Sequence, residues 1–404
     1  MSSRAVRVIA GVALTLSLVS CSPDGSQAAR TSVPASSTRA PDTDAPALTG
    51  AARLSSSETH TAPARALAAI AAMSLRQRVG QLLMVDCPST GVASATVSAI
   101  TRYDVGSVIL DGTTTSGSSA IRALTKRLQR YAPKRAKLFI ATDQEGGLVQ
   151  RLQGPGFSIV PAALVQGSRR PATLRSQARA WGQQLKRAGV NVNLAPVLDT
   201  VPARGRPNPP IGDLDREYGH TPATVRSHGL AYAEGMADAG IAATVKHFPG
   251  LGRVSGNTDV ASRVTDRVTT RADAYLAPFR AAVQAHVPFV MMSTAIYSRI
   301  DPRNPAAFSH TVVTGMLRGA LGYRGLIISD DVGAARQLSG VTPGQRAVRF
   351  VRAGGDVVLT VVAGQARAMT SALLAEARAS SSFRAKVNAA ALLVLQAKAR
   401  AGLL

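Results

Sequence analysis

Cysteine is scarce in this chain of 404 residues, which contains only Cys21 and Cys87. A fold built on a framework of disulfides is therefore excluded. Aromatic residues make up 4% of the chain, too few for the stacking surfaces on which many nucleic-acid-binding proteins depend. Acidic residues are also few, at 23 against 47 Lys and Arg, which gives a net charge of +24. Because the basic residues are scattered rather than clustered, we expect no nucleic-acid partner and instead an arginine-rich surface near an anionic envelope.

The amino terminus carries the features of an export signal. Arg4 and Arg7 precede the apolar run 8–19, which is too short to be a stable membrane span. The run ends in Leu-Val-Ser before Cys21, which resembles a bacterial lipobox and implies that Cys21 carries a lipid. An ordinary cleaved signal that happens to end near a cysteine is the alternative. We predict a lipoprotein signal peptide over residues 1–21, and lipidation would leave Cys87 as a single buried thiol.

A polar segment separates this signal from the rest of the chain. Residues 22–64 are rich in Ser, Thr, Ala, Pro and Asp and predict a disordered tether that holds a folded domain away from the membrane. The remaining residues, 65–404, are predicted to form one domain. Hydrophobic residues make up 46% of the chain, which excludes a wholly disordered protein.

Short apolar runs alternate with amphipathic segments throughout the predicted domain. The predicted strands are Leu82–Val85, Val105–Leu110, Leu138–Ala141, Val190–Ala195, Ala242–Val245, Phe289–Met292, Leu326–Ile328 and Val357–Val361. The clearest predicted helices are Ala120–Tyr131, Thr173–Ala188, Ala223–Ala239, Ala272–Ala285 and Gln345–Ala353. This pattern indicates a parallel sheet covered by helices on both faces. Eight such units predict an α/β fold of the (β/α)8 TIM-barrel class, with an open doubly wound sheet as the alternative.

Polar residues follow nearly all of these runs, where a barrel would bring them to one face. They are Asp86, Asp111, Asp143, Asp199, Lys246–His247, Ser293–Thr294 and Asp330–Asp331. One such Asp alone is often a helix cap, but their number favours a site. The chain has neither the glycine pattern of a dinucleotide site nor that of a nucleoside triphosphate site, and its His and Cys residues lack metal-ligand spacing. We therefore expect no cofactor and no metal.

Three motifs at predicted strand ends resemble those of one enzyme family. They are Asp-Gln-Glu-Gly-Gly at 143–147, Lys-His-Phe-Pro-Gly at 246–250 and Ser-Asp-Asp at 329–331. Together with the segment 73–83 they resemble glycoside hydrolase family 3, in particular the single-barrel β-N-acetylglucosaminidases (β-N-acetylhexosaminidases) in a bacterial lipoprotein form. The matches run in family order from about residue 73 to about residue 360. We expect no second, sandwich-type domain of the kind that many family members have, since only about 40 residues follow the last predicted strand.

The resemblance implies a role for individual residues. Asp330 is the expected nucleophile of a retaining glycosidase, and Asp331 makes a structural contact beside it. The positions that match the family's sugar-binding residues are Asp143, Arg151, Arg216, Lys246 and His247. Carboxylates can accept hydrogen bonds from sugar hydroxyls, and Arg and Lys can donate them.

One loop departs from the family pattern. Family members carry a second His in the Lys-His-Phe-Pro-Gly motif and an Asp-Ser-His segment whose His is the acid/base, whereas Leu251, Asn257 and Asp259 occupy these positions here. Asp259 is a candidate proton donor, because an apolar pocket can raise the pKa of a carboxyl group. Two alternatives remain: the chain hydrolyses slowly or not at all, or Asp259 only caps a flexible loop.

We therefore expect an exported glycoside hydrolase, lipid-anchored to the outer face of the cell membrane. The expected reaction removes terminal β-linked N-acetylglucosamine from peptidoglycan fragments or related glycans. The expected partners are the carbohydrate and, through the lipid, the membrane. The alternative is a weak or inactive glycan-binding lipoprotein, since the family acid/base His is absent.

Overall fold

A computed structural model describes residues 56–203 and 207–404 of the protein. The predicted signal peptide, its Cys21 and most of the predicted tether lie outside the described residues. Helix α1, Ser56–Ala71, begins inside the segment predicted as tether. Ala62 and Ala66 of this helix are buried. The predicted boundary at residue 65 is therefore too late. The segment contains Pro and Ala and lacks a strong amphipathic pattern, yet it packs as a helix.

Eight parallel strands form the centre of the structure, and each contains part of a predicted run. They are β1 Leu83–Pro88, β2 Ser107–Asp111, β3 Phe139–Thr142, β4 Val192–Asn193, β5 Ala242–Phe248, β6 Phe289–Met292, β7 Leu326–Ser329 and β8 Val358–Thr360. Their order in the sheet is β7-β6-β5-β4-β3-β2-β1-β8. A parallel bridge between Ile328 and Val357 brings β7 beside the start of β8. The barrel is thus nearly closed, which confirms the (β/α)8 prediction and excludes the open doubly wound sheet.

Helices surround these strands. Beyond α1 they are α2 Leu75–Gln81, α3 Ser94–Tyr103, α4 Gly117–Tyr131, α5 Ala163–Gln166, α6 Pro171–Arg187, α7 Pro222–Asp238, α8 Ala277–Gln284, α9 Pro343–Ala353, α10 Ala366–Ala379 and α11 Ser381–Arg400. A further, wide-turn helix spans Thr311–Ala320. The predicted helix at 272–285 is shorter than expected because Pro278 occupies the first turn of α8, where its missing N–H has no role, and Asp273 caps a separate short turn before it.

Alternation of side chains along the strands divides the core into two layers. In β6, Phe289 and Met291 belong to the cluster that fills the barrel, while Val290 and Met292 belong to the larger cluster between strands and helices. Inside the barrel Phe139 meets Phe289 edge to face, with ring centroids 5.6 Å apart. Each strand therefore has to be apolar on both faces, one toward the barrel interior and one toward the helices, as the continuous apolar runs predicted.

Burial shifts the pKa of two side chains in or beside the barrel, Cys87 and Lys398. Cys87 of β1 is a free, buried thiol, as expected, and burial raises its pKa to about 11. Lys398 of α11 is fully buried, and its Nζ donates to Gln81 Oε1 at 2.7 Å and to the Gly106 carbonyl at 2.8 Å. Since neither acceptor is charged, burial lowers the pKa of Lys398 to about 7.

Two small sheets lie outside the barrel. A hairpin pairs Gln144–Gly146 with Val149–Gln150 directly after β3, and a second sheet contains Thr265–Asp266, Ile296–Tyr297 and Asp301–Pro305. Sequence patterns did not predict these short segments. In the described ranges no helix has the length and apolar character to span a bilayer.

Candidate active site

A cavity of about 340 Å³ opens at the carboxyl ends of the barrel strands. It is lined by every residue that the sequence assigned to catalysis or sugar binding: Asp143, Arg151, Arg216, Lys246, His247, Asp259 and Asp330. These residues come from the loops and ends of β3, β4, β5 and β7, and a closed parallel barrel brings those ends together. The structure therefore assembles the predicted set in one place.

Three charged residues that line this cavity form ion pairs with one another and with the buried Glu145. We call the four the charge cluster: Asp143, Glu145, Arg216 and Lys246. The Lys246 ammonium lies 2.5 Å from Asp143 Oδ1 and 2.6 Å from Glu145 Oε1. Glu145 also accepts two bonds from the Arg216 guanidinium, at 2.7 and 2.8 Å. Lys246 and Glu145 are only 2% and 3% exposed at their side chains. Charges this deeply buried need partners of opposite sign, and the cluster supplies them.

Mutual attraction decides the protonation states in the charge cluster. Burial acts to raise the pKa of Glu145, but the charges of Arg216 and Lys246 outweigh it and hold that pKa well below its usual range. For Lys246, burial acts to lower the pKa, and the carboxylates of Asp143 and Glu145 reverse the effect and raise it. Glu145 is thus a carboxylate and Lys246 an ammonium at neutral pH.

Arg216 and Arg151 differ in how many of their donors remain available. Both ends of the Arg216 guanidinium are bound by protein, to Glu145 and to the Pro210 carbonyl at 2.7 Å. By contrast, the buried Nε of Arg151 has no hydrogen-bond partner within the described residues. Because Arg151 lines the cavity, its guanidinium can donate to an oxygen of a bound ligand, while Arg216 chiefly braces the cavity wall. The assignment of either residue to sugar binding stays a prediction.

A buried carboxylate orients His247. Asp199 Oδ2 lies 2.7 Å from His247 Nδ1, and Oδ1 accepts the backbone N–H of His247 at 3.1 Å and of Leu251 at 2.8 Å. Because a carboxylate only accepts, Nδ1 carries the proton and Nε2 is left for the cavity. Asp199 is completely buried, so these bonds are not exchanged with water.

The paired aspartates after β7 have different tasks. Asp331 accepts backbone N–H bonds from Gly333, Ala334 and Val361 at 2.8 to 2.9 Å, which makes it a structural residue, as expected. Both aspartates line the cavity. Desolvation raises the pKa of Asp330 to about 6, with His247 opposing the rise and the nearby Asp259 carboxylate adding to it. Asp330 is thus mostly ionised at neutral pH and is positioned at the cavity wall.

Asp259 lies at the exposed mouth of the same cavity. Loss of hydration raises its pKa, while His247 acts to lower it and Asp331 to raise it. The backbone N–H of Asp259 donates to Asn257 Oδ1 at 2.9 Å. Asn257, which occupies the position of the family's Asp, therefore builds the turn that presents Asp259.

The start of this loop is held in place rather than free. Leu251, at the position of the family's second His, is 2% exposed. The Asn208 side chain donates to the carbonyls of Leu251 and Val254, both at 2.8 Å. A Cβ on Gly252 would lie 1.9 Å from the Thr200 carbonyl oxygen, so the backbone can pass there only as glycine. Gly252 therefore serves close packing against the segment that carries Thr200.

Two residues of the site were not assigned by sequence. Glu145 stands inside the Asp-Gln-Glu-Gly-Gly motif, and Asp199 follows a predicted strand, but neither was given a role. The signal that could have pointed to both residues is their position in or next to a strand-end motif. The pairing of each carboxylate with its cation depends on contacts across the barrel, and spacing along the chain gives no information on those contacts.

A (β/α)8 barrel with carboxylates, cations and an oriented imidazole in a cavity at its carboxyl face is an arrangement typical of glycoside hydrolases. Comparison with known families bears this out, because the Glycosyl hydrolase family 3 N terminal domain matches residues 74–396. The chain belongs to glycosyl hydrolase family 3. It is a glycosyl hydrolase of the β-N-acetylhexosaminidase type.

Individual relatives agree with this placement. A beta-hexosaminidase of Xanthomonas oryzae pv. oryzae is 34% identical over 282 residues, covering 67% of this chain and 81% of that protein. The crystal structure of a beta-N-acetylhexosaminidase from Beutenbergia cavernae has a TM-score of 0.80 and 45% identity, covering 81% of this chain and 98% of that one. A family 3 beta-N-acetylglucosaminidase from Paenibacillus sp. has a TM-score of 0.74 and 31% identity, covering 81% of this chain and 63% of that one.

Proposed function

We propose that the protein releases terminal β-linked N-acetylglucosamine by a retaining mechanism in which Asp330 is the nucleophile and Asp259 the proton donor. The observation that carries the proposal is that Asp330 and Asp259 line one cavity, close enough for the Asp259 carboxylate to help raise the pKa of Asp330. Two carboxyl groups of this kind are what a retaining glycosidase requires.

The chemistry proceeds in two displacements. An Asp330 oxygen attacks the anomeric carbon, the bond to the leaving oxygen breaks, and that oxygen takes the proton of Asp259. Water then attacks the same carbon, gives its proton to the Asp259 carboxylate, and the bond to Asp330 breaks. A sugar in the cavity excludes water from Asp259 and raises its pKa further, which favours the protonated form at the start of the cycle.

Sugar binding is assigned to the remaining cavity residues. Asp143 and His247 can accept or donate hydrogen bonds at sugar hydroxyls, and the Arg151 guanidinium can donate to an oxygen. Lys246, held between two carboxylates, keeps Asp143 in place at the wall. The names of the relatives support an acetylated hexosamine as the sugar.

The first experiment uses a chromogenic β-N-acetylglucosaminide and the variants Asp330→Asn and Asp259→Ala. Asp330→Asn is expected to lose turnover, and Asp259→Ala to lose about 10²- to 10⁴-fold, the usual contribution of a general acid or base. Azide needs no general base, so it should restore turnover to Asp259→Ala and yield the β-glycosyl azide. Glu376→Gln, which removes a carboxylate on α10 from an exposed ion pair, is the matched control and should keep full activity.

Three outcomes would contradict the mechanism. Unchanged turnover in Asp330→Asn removes that residue as nucleophile. An α-anomer as the first product, observed by NMR, rules out retention. If calorimetry shows that the wild-type protein binds the sugar but there is no turnover, the alternative of a glycan-binding lipoprotein is favoured. The reason for that alternative is that Leu251 and Asp259 occupy positions where the family has His.

Cell-wall glycan is the proposed natural substrate, because the predicted lipoprotein signal would direct the protein to the envelope. The lipid on Cys21 would hold the barrel at the membrane through the tether. Purified muropeptides with terminal N-acetylglucosamine should therefore be trimmed. Cys21→Ala should move the protein from the membrane fraction to the soluble fraction, and an unchanged distribution would refute the anchor.

A further inference from the structure

The loop that carries Asp259 is bound to the segment that follows the nucleophile. We propose that Gln337 is a positioning residue whose backbone and side chain hold the Asp259 loop over the cavity. This inference rests on the proposed role of Asp259 as proton donor. It assigns the placement of the donor to a residue outside the cavity lining.

Two backbone hydrogen bonds join the loop and the segment. The N–H of Arg336 donates to the Asp259 carbonyl at 3.0 Å, and the N–H of Gln337 donates to the Thr258 carbonyl at 3.0 Å. These two acceptors are the donor residue itself and its neighbour. The height of the Asp259 backbone over the cavity is therefore set by the segment 336–337.

The Gln337 side chain makes two further bonds, both to Val264. Its Oε1 accepts the Val264 N–H at 2.9 Å, and its Nε2 donates to the Val264 carbonyl at 3.1 Å. One carboxamide thus satisfies both backbone groups of one residue, a pairing that needs a donor and an acceptor at fixed spacing. Together with the backbone bonds this forms what we call the Gln337 clamp, which holds the loop on both sides of Asp259.

The far end of the clamp is anchored to the nucleophile. The Asp331 carboxylate accepts the N–H groups of Gly333, Ala334 and Ala335, which stiffens the chain between Asp330 and the clamp. Leu338, directly after Gln337, is 1% exposed and fixes the segment to the core. The two proposed reacting carboxyl groups are therefore joined by a short, braced connection.

Placement of this kind has a large effect on rate. A misplacement of about 1 Å in a catalytic group can reduce the rate about 10²-fold. Asp259 is exposed at the mouth of the cavity, so the position of its carboxyl group depends on its backbone. Asn208 holds the start of the loop independently, so loss of the Gln337 side chain should loosen only the part near 257–264.

The test compares Gln337→Ala with Gln345→Ala, an exposed glutamine on α9, in the full chain. Hydrogen exchange followed by mass spectrometry should show faster exchange over residues 257–264 in Gln337→Ala alone. In the same variant kcat/KM should fall by about 10- to 10²-fold for a β-N-acetylglucosaminide with a sugar aglycone, which needs protonation. For the 2,4-dinitrophenyl glycoside, whose leaving group needs little protonation, it should change less than about twofold.

The outcomes separate this inference from the proposed function. Unchanged exchange in Gln337→Ala overturns the clamp, whatever the activity. A second outcome overturns the positioning role: Gln337→Ala exchanges faster but lowers kcat/KM equally for the two aglycones, whereas Asp259→Ala lowers it more for the sugar aglycone. If Asp259→Ala itself fails to discriminate, the proposed donor is wrong, and exchange alone still decides whether the loop is clamped. Should Gln337→Ala not fold, Gln337→Glu, which keeps the acceptor and loses the donor, should show the same changes at smaller size.

Discussion

Replacing Glu145 by Gln removes the negative charge at the centre of the charge cluster while keeping the size of the side chain. In the wild-type protein Glu145 accepts two bonds from Arg216 and one from Lys246. A carboxamide oxygen can accept some of these bonds, but its NH2 group would face the N–H groups of the cations. Lys246 would then keep the more exposed Asp143 as its ion-pair partner, and Arg216 would lose its own ion-pair partner.

The size of the effect follows from burial. The Glu145 side chain is 3% exposed and its partners 15% and 2%, and breaking a buried pair of this kind costs about 3–5 kcal/mol of folding free energy. Glu234→Gln is the matched control, because Glu234 bonds to Arg175 at a similar distance, 2.8 Å, but with the Arg side chain 34% exposed. We expect that substitution to cost about 0–1 kcal/mol.

The dependence on pH has a definite sign. The pKa of Glu145 is lowered in the folded protein, so the stabilisation is fully present above the pKa of the unfolded carboxyl, about 4.3. It is lost as the pH falls through the lower, folded pKa. The difference between wild type and Glu145→Gln should therefore be constant from neutral pH down to about 4.3 and shrink below it.

Guanidinium unfolding at pH 7 provides the measurement, with the midpoint compared at constant m-value. Glu145→Gln should lower the midpoint clearly more than Glu234→Gln. Equal midpoints for the two variants would show that the charge cluster does not hold the site together, and the electrostatic reasoning given for Glu145 would fail.

Three further predictions concern other parts of the molecule. The kcat/KM of the wild type should fall as the pH drops below about 6, because Asp330 must be ionised to attack; a flat profile down to pH 4 would contradict this role. The free energy of unfolding of the wild type should rise between pH 7 and 10 relative to that of Lys398→Met. The pKa of Lys398 is about 7 in the folded protein and near 10.4 in the unfolded chain, so in this range the unfolded chain binds the extra proton. Parallel curves of unfolding free energy against pH would argue against a desolvated lysine. Gly252→Ala should reduce kcat/KM at least about tenfold by displacing the Asp259 loop, whereas Gly364→Ala, with nothing within 4 Å of the new Cβ, should match the wild type.

Much of the fold could be predicted because its signals are local and repeated. Each barrel strand is apolar on both faces, so a short continuous run marks it without any knowledge of its neighbours. The start of the domain was placed too late, since α1 contains Pro63 and is rich in small residues, which locally favour a loop. The short sheets outside the barrel carry no periodic pattern of their own, because most of their segments are only two or three residues long.

The site divides in the same way. Asp143, Lys246, His247 and Asp330 could be named because they stand in motifs at strand ends. Glu145 could not be given its role, since its partners, Arg216 and Lys246, come from other strands of the barrel. The clamp by Gln337 was equally hidden, because it joins residues 73 positions apart through hydrogen bonds that leave no mark in the sequence.

The sequence by itself determined the class of fold, the family resemblance and the identity of the residues at the strand ends, because apolar alternation and short motifs are properties of neighbouring residues. Only the tertiary structure decided that Glu145 joins two cations, that Asp199 orients His247, and that the loop with Asp259 is held to the segment after Asp330. Those relations depend on closure of the barrel, which brings distant loops within hydrogen-bonding distance and removes their charges from water.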